Sequence, residues 1–557
     1  MILFEERKSE KLPGINSIFI SFEYNKYIVE AVKSIPNATY DKKNYTWEIP
    51  ICYLAKAIAV LNRLDSIKLL CAAEKSPEYK TYEIGPFKTK PFSYQEDAIQ
   101  YALNHEKFML LDGMGLGKSL QSIYAAEEIK KRYGIEHCLV ICGVNTLKSN
   151  WKKEINTHSN LSCKILGEKI SKTGKTTYGG IKERLEQLKN PIEEFFVVTN
   201  IETLRNDDII KTINANKPNK FDMIIFDEMH KAKSASSEQG KNLLKLNKAR
   251  FKIGLTGTLL LNSPFDCYVP LKWLGVQNCT LTSFKYFYGN FGGPFNNDLI
   301  SYKNIDTLKD VLSTCSLRRT KDILDLPPKT IINEYVDMAD DQLKFYENIK
   351  NGIKDQVDKV DLNTATLLSL VTRLRQATAC PSILTSEKIS SAKIERAIDL
   401  IEQIVSQGDK VVVFSTFIDT VDSIKNKILH LDPLVCTGST KDIDIQKNID
   451  TFQTSDENKV MLCTWQKMGT GVTLTAATYA IFIDCPWTAA LCTQSEDRIY
   501  RIGSKSPVFI YYLWTKNTID ERVYDIVKSK QAMSDYVIDD AISSENLSML
   551  RKYITDL

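Results

Sequence analysis

The stretch Leu110-Leu-Asp-Gly-Met-Gly-Leu-Gly-Lys-Ser119 places glycines, a lysine and a hydroxyl group directly after an apolar run. Main-chain N–H groups of such a loop point inward and hold phosphates at the start of the next helix. Lys118 would reach the terminal phosphates, and Ser119 would bind Mg²⁺. Asp112 stands where the full Walker pattern has its first glycine. The spacing predicts a nucleotide-phosphate site, against the alternative of a glycine-rich turn with an accidental Lys-Ser.

A carboxylate pair follows a second apolar run, in Met223-Ile-Ile-Phe-Asp-Glu-Met-His230. Asp227 at the strand end could hold Mg²⁺, and Glu228 beside it could polarise an attacking water. Alone, such a pair is usually a loop with solvated charges. Downstream of a phosphate-binding loop it favours hydrolysis of ATP with Mg²⁺ as cofactor. We expect His230 to be a structural link to the hydroxyls of Thr256 and Thr258.

Two sets of short, continuously apolar runs indicate the elements that position these residues. The first set is Phe108 to Leu111, Cys138 to Cys142, Phe195 to Val198, Met223 to Phe226 and Lys252 to Leu255. The second is Val411 to Phe414, Leu434 to Cys436, Val460 to Cys463, Ala480 to Ile483 and Val508 to Leu513. Continuous hydrophobicity is typical of parallel strands buried on both faces. The predicted fold class is α/β, with two parallel-sheet lobes.

Four segments follow from this pattern. Residues 1–80 are predicted to be a small α+β unit, followed by a linker around Pro77 to Pro91, and residues 81–261 to be the first lobe. Residues 262–390 turn aromatic and then helical, which predicts an insertion at the lobe junction. Residues 391–557 are predicted to be the second lobe with C-terminal helices.

Composition excludes several classes of protein. The chain has 557 residues, too many for one hydrophobic core, and its 73 Lys and Arg nearly balance 69 Asp and Glu, so any nucleic-acid surface must be local. The 13 cysteines are irregularly spaced without a C-x-x-C pair. They predict reduced core thiols, with a structural zinc site as a minor alternative.

The N-terminus, Met1-Ile-Leu-Phe-Glu-Glu-Arg, turns acidic after three apolar residues, which argues against a signal peptide. No uncharged stretch approaches membrane-spanning length. Lys, Ile and Asn are plentiful, as in proteins of AT-rich genomes. We expect a soluble, cytoplasmic monomer of a bacterial or virus-infected cell, with no membrane partner.

In their order, these motifs resemble those of superfamily-two helicase motors, specifically Swi/Snf-type DNA translocases. Residues 112–119 resemble motif I, with Gly113 where an acidic residue is more usual, and Gly115 and Gly117 completing the loop. Tyr94-Gln95 resembles the glutamine motif that reads adenine. Further matches are Asn150-Trp151, Leu255-Thr-Gly-Thr258 with Asn262, Leu317-Arg-Arg-Thr-Lys321, Leu326-Pro-Pro-Lys329, Val413-Phe-Ser415, Gly471-Val-Thr-Leu474 and Gln494-Ser-Glu-Asp-Arg-Ile-Tyr-Arg-Ile-Gly503. The resemblance covers residues from about 90 to 525.

The resemblance implies two RecA-like lobes with arginine fingers in the cleft between them. Arg498 and Arg501 would neutralise charge on the transferred phosphoryl group when the lobes close, assisted by Gln494. Their spacing of three on a predicted helix places them on one face. The alternative is a surface cluster in which they pair with Glu496 and Asp497.

DNA-backbone contacts are also implied by the resemblance. Small hydroxyl groups and loop amides suit grip on phosphates without reading of bases. The candidate residues are Thr146, Lys148, Asn150, Ser415, Gly471 and Thr473. Each could equally be part of an ordinary turn.

Residues 1–80 resemble the HARP domain of annealing helicases. The matching residues are Ile18-Phe-Ile-Ser-Phe-Glu-Tyr24, Ile28 to Ile35, Tyr40-Asp41 and Tyr45-Thr-Trp47 with Pro50. The resemblance implies engagement of branched or forked DNA, where exposed Tyr and Trp rings could stack on bases. The alternatives are that these rings are core, or that the unit is an unrelated packing module.

Together the motifs predict a DNA-dependent ATPase that translocates on double-stranded DNA and remodels or reanneals branched or forked DNA in repair. Two rivals are also enzymes: a strand-separating helicase and a remodeller that displaces proteins from DNA. A third is a non-hydrolysing DNA-binding clamp. Lys118, Asp227, Glu228, Arg498 and Arg501 argue against the clamp.

Overall fold

The computed structural model describes residues 2–9, 16–61, 63–65, 67–69, 79–143, 147–170, 176–257, 263–292, 298–357, 364–465, 472–486, 489–523 and 525. The chain divides into two compact units. The first comprises residues 1–112 and 117–319, and the second comprises residues 113–116 and 320–557.

An α+β layer opens the first unit. Its elements are β1 (Ile2–Lys8), β2 (Asn16–Phe22), α1 (Lys26–Lys33), β3 (Thr39–Asp41), β4 (Thr46–Pro50), α2 (Leu54–Leu61) and β5 (Ile67–Leu69). The strand order is β3-β4-β2-β1-β5, antiparallel except for β1 and β5. Ile18 and Ile20 point to the same face of β2, and Ile28 and Val32 to one face of α1, so all four enter one core. These elements have the predicted α+β character, and their extent as a separate segment stays a prediction.

The first unit continues with a larger α/β layer. Its elements are α3 (Ser93–Asn104), β6 (Lys107–Leu110), α4 (Lys118–Tyr133), β7 (His137–Cys142), α5 (Leu147–His158), β8 (Cys163–Ile165), β9 (Glu168–Ile170), β10 (Thr176–Tyr178), α6 (Ile181–Lys189), β11 (Phe196–Asn200), α7 (Asp207–Ala215), β12 (Phe221–Asp227), α8 (Glu238–Lys245), β13 (Phe251–Leu255), α9 (Tyr268–Leu274), α10 (Leu281–Tyr288), β14 (Gly289–Gly292), β15 (Asp298–Tyr302), α11 (Ile305–Cys315) and β16 (Ser316–Leu317). The described strands form a parallel sheet in the order β16-β6-β13-β12-β7-β11-β8, plus two antiparallel pairs, β9 with β10 and β14 with β15.

Both faces of this sheet are buried. On β7, Leu139 and Ile141 belong to one apolar cluster, whereas Cys138, Val140 and Cys142 belong to another. Since successive strand residues point to opposite faces, a continuous apolar run requires a covering layer on each side. The first cluster also contains the core of the N-terminal α+β layer, so that layer and the parallel sheet share one continuous core.

The second unit repeats the arrangement. Its elements are β17 (Lys329–Val336), α12 (Asp340–Val357), α13 (Thr364–Ala379), α14 (Ala392–Ser406), β18 (Val411–Ser415), α15 (Ile418–Lys427), β19 (Leu434–Cys436), α16 (Asp442–Thr454), β20 (Val460–Thr464), β21 (Tyr479–Phe482), α17 (Ala489–Ile499) and β22 (Val508–Thr515). Its described strands form a parallel sheet in the order β17-β22-β21-β18-β20-β19. Val412 and Phe414 face one cluster, and Val411 and Val413 the other.

The predicted α/β class with two parallel-sheet lobes is therefore confirmed. Four described strands lie in the segment 262–390, for which an aromatic and then helical insertion was predicted. β14 and β15 form an antiparallel pair, and the other two strands join the parallel sheets. β16 joins the first sheet beside β6, and β17 forms an edge of the second sheet. The four segment boundaries stay predictions.

No disulfide joins the cysteines in the part of the chain whose side chains the structure describes. The 11 cysteines whose side chains are described are free thiols, and all but Cys163 are buried. Within the described ranges no group of three or more His, Cys, Asp and Glu side chains could hold a metal ion. None of the helices found there combines the length and the apolar character that crossing a membrane would require.

Candidate nucleotide and DNA sites

The glycine-rich loop leads directly into α4, as the sequence predicted. Gly115 and Gly117 have φ values of 85° and 75°, in the left-handed region that favours glycine. A Cβ atom at Gly117 would lie 2.8 Å from Nε2 of Gln95, so a side chain is excluded by space as well. Lys118 is the first residue of α4, and its Nζ donates a hydrogen bond of 2.7 Å to the main-chain oxygen of Asp112.

Asp112, the departure from the Walker pattern, is completely buried. Arg319 binds its carboxylate with two groups, Nε at 3.0 Å from Oδ1 and Nη2 at 2.5 Å from Oδ2. Gln121 of α4 donates to Oδ2 at 3.1 Å. A buried carboxylate that is paired by a two-pronged guanidinium is a strong, directional contact. Arg319 belongs to a motif that the sequence shows, but its contact with Asp112 was not predicted.

Tyr94 and Gln95 lie in the first turn of α3, beside this ion pair. The Oε1 of Gln95 accepts from the N–H of Phe92 at 3.0 Å, and its Nε2 lies 3.3 Å from the hydroxyl of Tyr94. Burial is the main cause that raises the pKa of Tyr94 to about 12, while the charge of Arg319 opposes it. Arg319 also donates to the main-chain oxygen of Tyr94 and lies 5.3 Å from its ring centroid.

The carboxylate pair ends β12, close to Lys118. Asp227 accepts hydrogen bonds from Nε1 of Trp151 at 2.9 Å and from the N–H of Glu228 at 3.0 Å. Burial first, and then the charge of Glu228, raise the pKa of Asp227 to about 6, while the positive charge of Lys118 opposes this rise. The lysine and both acids of the two predicted motifs thus interact within one unit.

Glu228 has a left-handed backbone, with φ of 52°, which is uncommon for a residue other than glycine and clusters at functional sites. Its Oε2 lies 3.3 Å from Nδ1 of His230, and the same nitrogen lies 3.0 Å from Oγ1 of Thr256. Burial and the charges of neighbouring lysines lower the pKa of His230 to about 3. The predicted link from His230 to Thr256 is present, and Thr258 lies outside the described residues.

The two candidate arginine fingers do not lie on one helix, although the sequence had predicted that they would. Gln494 and Arg498 lie on α17, but Arg501 lies beyond its last residue, Ile499, so the prediction that both arginines share one helical face is wrong. Nη1 of Arg498 donates to the oxygen of Val472 at 3.4 Å. Nη1 of Arg501 donates to Oγ1 of Thr473 at 2.9 Å.

The alternative interpretation, a surface cluster with neighbouring acids, is also wrong. Glu496, Asp497 and Arg498 are all less than 10% exposed. Asp497 accepts from Nζ of Lys321 at 2.5 Å, and Glu496 from Nζ of Lys329 at 2.8 Å. Lysines from an earlier part of the chain therefore compensate the two acids.

The candidate DNA contacts of the first unit have unequal exposure. Thr146 lies outside the described residues. Lys148 is 2% exposed, with Nζ at 4.9 Å from the ring centroid of Tyr178, and burial lowers its pKa. To reach a phosphate, this side chain would have to leave Tyr178. Asn150, two residues further along α5, is partly exposed.

In the second unit, Gly471 lies outside the described residues. Ser415 is completely buried, and its hydroxyl donates to Oδ2 of Asp484 at 2.5 Å. The side chain of Thr473 is partly exposed. Asn150 and Thr473 are therefore the described candidates with side chains at the surface.

Two parallel-sheet lobes, the first with a glycine-rich loop at the start of a helix, define the fold of two-lobed helicase-type ATPases. Residues 94–383 match the model of the SNF2-related domain, and residues 392–503 match that of the helicase conserved C-terminal domain. The chain belongs to the SNF2-related family.

Several known proteins are similar to this chain. An uncharacterised ATP-dependent helicase of Mycoplasma genitalium is 29% identical over 463 residues, which are 79% of this chain and 41% of that protein. The DNA annealing helicase and endonuclease ZRANB3 of Bos taurus is 27% identical over 483 residues, 83% of this chain and 42% of that protein. The chain thus spans about two fifths of the length of these relatives. The Sulfolobus solfataricus SWI2/SNF2 ATPase core in complex with dsDNA is 25% identical, with a TM-score of 0.38, over 85% of this chain and 97% of that chain.

Proposed function

We propose that this protein is an ATP-driven translocase on double-stranded DNA that acts on branched or forked DNA. The observation that carries the ATPase proposal is the cluster of Lys118, Asp227 and Glu228 in one unit. Lys118 begins a helix of 16 residues, Asp227 ends β12 of the same lobe's sheet, and Glu228 directly follows it. Family membership supports the same activity.

The phosphate site would use the loop and the start of α4. Main-chain N–H groups of the loop with Gly113, Gly115 and Gly117 would bind phosphate oxygens, and the helix N-terminus favours negative charge. Lys118 adds a positive charge at the terminal phosphates. Tyr94 and Gln95, at the start of α3, are the candidates for contact with adenine.

The oxygen donors present fit Mg²⁺, which prefers carboxylate, hydroxyl and water ligands. Ser119 supplies a hydroxyl, and Asp227 a largely buried carboxylate whose pKa is raised by burial first and then by the charge of Glu228. When bound, Mg²⁺ would neutralise charge on the phosphates. Glu228 would orient and deprotonate the attacking water, and its Oε2 lies 3.3 Å from Nδ1 of the neutral His230.

The second unit would supply Gln494, Arg498 and Arg501 to the reaction. Guanidinium groups stabilise the charge that develops on a transferred phosphoryl group. Closure that brings these arginines to the phosphates would alter their contacts with residues 472 and 473, where a DNA contact is proposed. Hydrolysis would then be tied to the grip on DNA by a difference in affinity between two states.

A cluster of exposed tyrosines supports the action on branched DNA. Tyr24, Tyr27 and Tyr45 are 87%, 72% and 77% exposed, whereas Trp47 is half-buried. β2 and β4 are antiparallel, with Ile20 opposite Trp47, so the residues after β2 and those before β4 lie at the same end of the sheet. Large aromatic rings at a surface bind unpaired bases by stacking.

Exposed lysines accompany these rings. Lys26, Lys42 and Lys43 are exposed at the same end of the sheet. The turn that carries two of them is fixed by Asp41, which accepts from the N–H of Lys43 at 2.9 Å and from Nδ2 of Asn44 at 2.7 Å. Lysines beside aromatic rings suit a nucleic-acid strand, because phosphates and bases are bound together.

The test is the steady-state ATPase rate, measured first without nucleic acid and then with duplex DNA, single-stranded DNA, forked DNA or RNA. The Lys118→Ala variant serves as the blank. Strong stimulation by duplex or fork is expected. Stimulation by single strands or RNA alone would favour a conventional strand-separating helicase. No Lys118-dependent hydrolysis under any condition would overturn the ATPase proposal and favour a DNA-binding clamp.

A further inference from the structure

The position of Arg319 beside Asp112 follows from strand register. β16 and β6 are parallel, with Ser316 opposite Met109 and Leu317 opposite Leu110. The N–H of Leu111 continues the ladder, donating to the oxygen of Leu317 at 2.8 Å. Two residues further along both strands, the register brings Arg319 level with Asp112. The pairing of the two-residue strand β16 thus places the side chain of Arg319 beside Asp112, at the start of the phosphate loop.

Arg319 ties together three parts of the candidate nucleotide site. Its guanidinium binds both carboxylate oxygens of Asp112 and donates to Oε1 of Gln121 at 2.6 Å. A further nitrogen donates to the main-chain oxygen of Tyr94. The side chain is 13% exposed, and its partner carboxylate is fully buried. The start of the phosphate loop, helix α4 and the adenine motif are therefore fixed to one another by a single residue.

Two residues later, Lys321 is anchored inside the second unit. Its Nζ donates to Oδ1 of Asp497 at 2.5 Å and to the main-chain oxygen of Tyr500 at 2.6 Å. These acceptors flank Arg498 and precede Arg501 in the chain. Lys321 is 19% exposed and Asp497 6% exposed, so this ion pair is largely shielded from water.

Arg319 is the last residue of its stretch of the first unit, and Thr320 begins the longer stretch of the second. We propose that Arg319, Thr320 and Lys321 form a short linking segment, here called the strap. Its two ends position two different groups of residues that the proposed reaction needs. Arg319 positions the phosphate loop and the adenine motif. Lys321 positions the segment that carries Arg498 and Arg501. The inference rests on the proposed ATPase function and adds two positioning residues to it.

The first end is tested with Arg319→Gln. Loss of charge-assisted hydrogen bonds to the loop is expected to weaken binding of a fluorescent ATP analogue about tenfold, with a similar rise in the KM for ATP. Discrimination between ATP and GTP is expected to fall as well, because Tyr94 loses its anchor. The matched control is Arg318→Gln, since Arg318 is the exposed preceding residue, and it should bind as the wild type does.

Arg319→Lys separates positioning from folding. It keeps the charge near Asp112 but cannot contact Asp112, Gln121 and Tyr94 together, so an intermediate affinity is expected. Circular dichroism checks the fold of each variant. If Arg319→Gln does not fold, the lysine variant decides: an unchanged affinity and unchanged ATP/GTP ratio would overturn this end of the strap.

The second end is tested with Lys321→Gln. We expect the KM for ATP to stay within about twofold, while stimulation of turnover by duplex DNA falls about fivefold or more, because Arg498 and Arg501 lose their support. Lys329→Gln is the matched control, since it removes a similar ion pair on the same helix, with Glu496, from outside the strap. Equal loss of stimulation in both variants, or none in Lys321→Gln, would overturn the proposal.

These outcomes are distinct from failure of the ATPase proposal. Binding of the fluorescent analogue reports on Arg319 even without turnover. Suppose that the wild type shows Lys118-dependent hydrolysis and that Arg319→Gln binds the analogue with normal affinity. These results would leave the proposed function intact and would contradict the strap.

Discussion

Nη1 of Arg501 lies 2.9 Å from Oγ1 of Thr473, which joins a candidate arginine finger to a candidate DNA contact within one unit. Arg498 makes a similar contact with the residue before Thr473, because its Nη1 lies 3.4 Å from the main-chain oxygen of Val472. Arginines that turn toward a phosphate must change these contacts. Under the proposed function, the state of the nucleotide would thereby be linked to the conformation of residues 472 and 473.

Replacement of Thr473 is predicted to weaken this link. Thr473→Val keeps the shape of the side chain but removes the hydroxyl that accepts from Arg501. A hydrogen bond to a charged group is worth about 1.5–3 kcal/mol. We therefore expect the change in duplex affinity caused by a non-hydrolysable ATP analogue to shrink about fivefold or more. Equilibrium binding of labelled duplex with and without the analogue measures it.

Thr473→Ser is the control, because it retains the hydroxyl, and it should keep most of the nucleotide effect. A double-mutant cycle with Arg501→Lys gives the coupling directly. Independent effects of the two substitutions on DNA affinity would show that the contact carries no coupling.

Glu228→Gln is predicted to separate ATP binding from hydrolysis. The amide is nearly isosteric but cannot take a proton from water, so turnover should fall by about 10²–10⁴-fold while ATP and DNA binding persist. Single-turnover hydrolysis and binding of a fluorescent ATP analogue make the comparison. Normal hydrolysis by this variant would reject Glu228 as the base.

The exposed tyrosines are predicted to serve DNA binding and not folding. Tyr24→Ala and Tyr45→Ala should each lower affinity for forked DNA by about 1–3 kcal/mol, the usual value for loss of one stacked base, with little change for plain duplex. Thermal unfolding should be unaffected, because both side chains are more than 70% exposed. Tyr79→Ala, 55% exposed outside the N-terminal sheet, is the control.

Point substitutions are preferable to removal of the N-terminal residues. Ile18, Ile20 and Ile28 belong to the same apolar cluster as Met109 and Leu139 of the parallel sheet. Deletion would expose this core and disturb the first lobe as a whole. Equal loss of fork and duplex binding in the two tyrosine variants would argue against a fork-specific surface.

The fold could be predicted from the sequence where burial is two-sided. Every continuous apolar run falls on a parallel strand, and runs such as Cys138 to Cys142 and Val411 to Phe414 are buried throughout. β17 was missed because it is an edge strand with alternating exposure, and β16 because it has only two residues.

The candidate site likewise contains residues that the sequence predicted and contacts that it did not. Lys118, Asp227 and Glu228 were predicted because their motifs are local in sequence. The pair of Asp112 and Arg319 joins residues 207 positions apart and depends on the register of β16 with β6. No periodicity in the sequence specifies that register. The buried state of Lys148 and Ser415 likewise depends on tertiary packing, which short motifs do not encode.

His230 is predicted to make the protein less stable in acid. Burial, followed by the charges of Lys231 and Lys233, lowers its pKa from 6.5 to about 3, and Asp266 only partly opposes this. Glu228 also faces the ring, with its Oε2 3.3 Å from Nδ1. In the folded protein the imidazole therefore stays neutral through the physiological range.

The unfolded chain binds a proton on this histidine below pH 6.5, whereas the folded protein does so only near pH 3. Stability is thus fully present above the unfolded pKa and falls as the pH drops from 6.5 toward 3. Between about pH 7 and pH 5 the loss from this group amounts to about 2 kcal/mol. Urea unfolding of the wild type at the two pH values should show it.

His230→Gln removes the titrating group, so its stability should fall about 2 kcal/mol less over the same interval. His430→Gln is the matched control, because the side chain of His430 is 58% exposed, and it should follow the wild type. If His230→Gln loses as much stability as the wild type, then His230 is protonated in the folded protein. Its contact with Glu228 would in that case be an ion pair, and the candidate base would be held by a charge instead of a neutral ring.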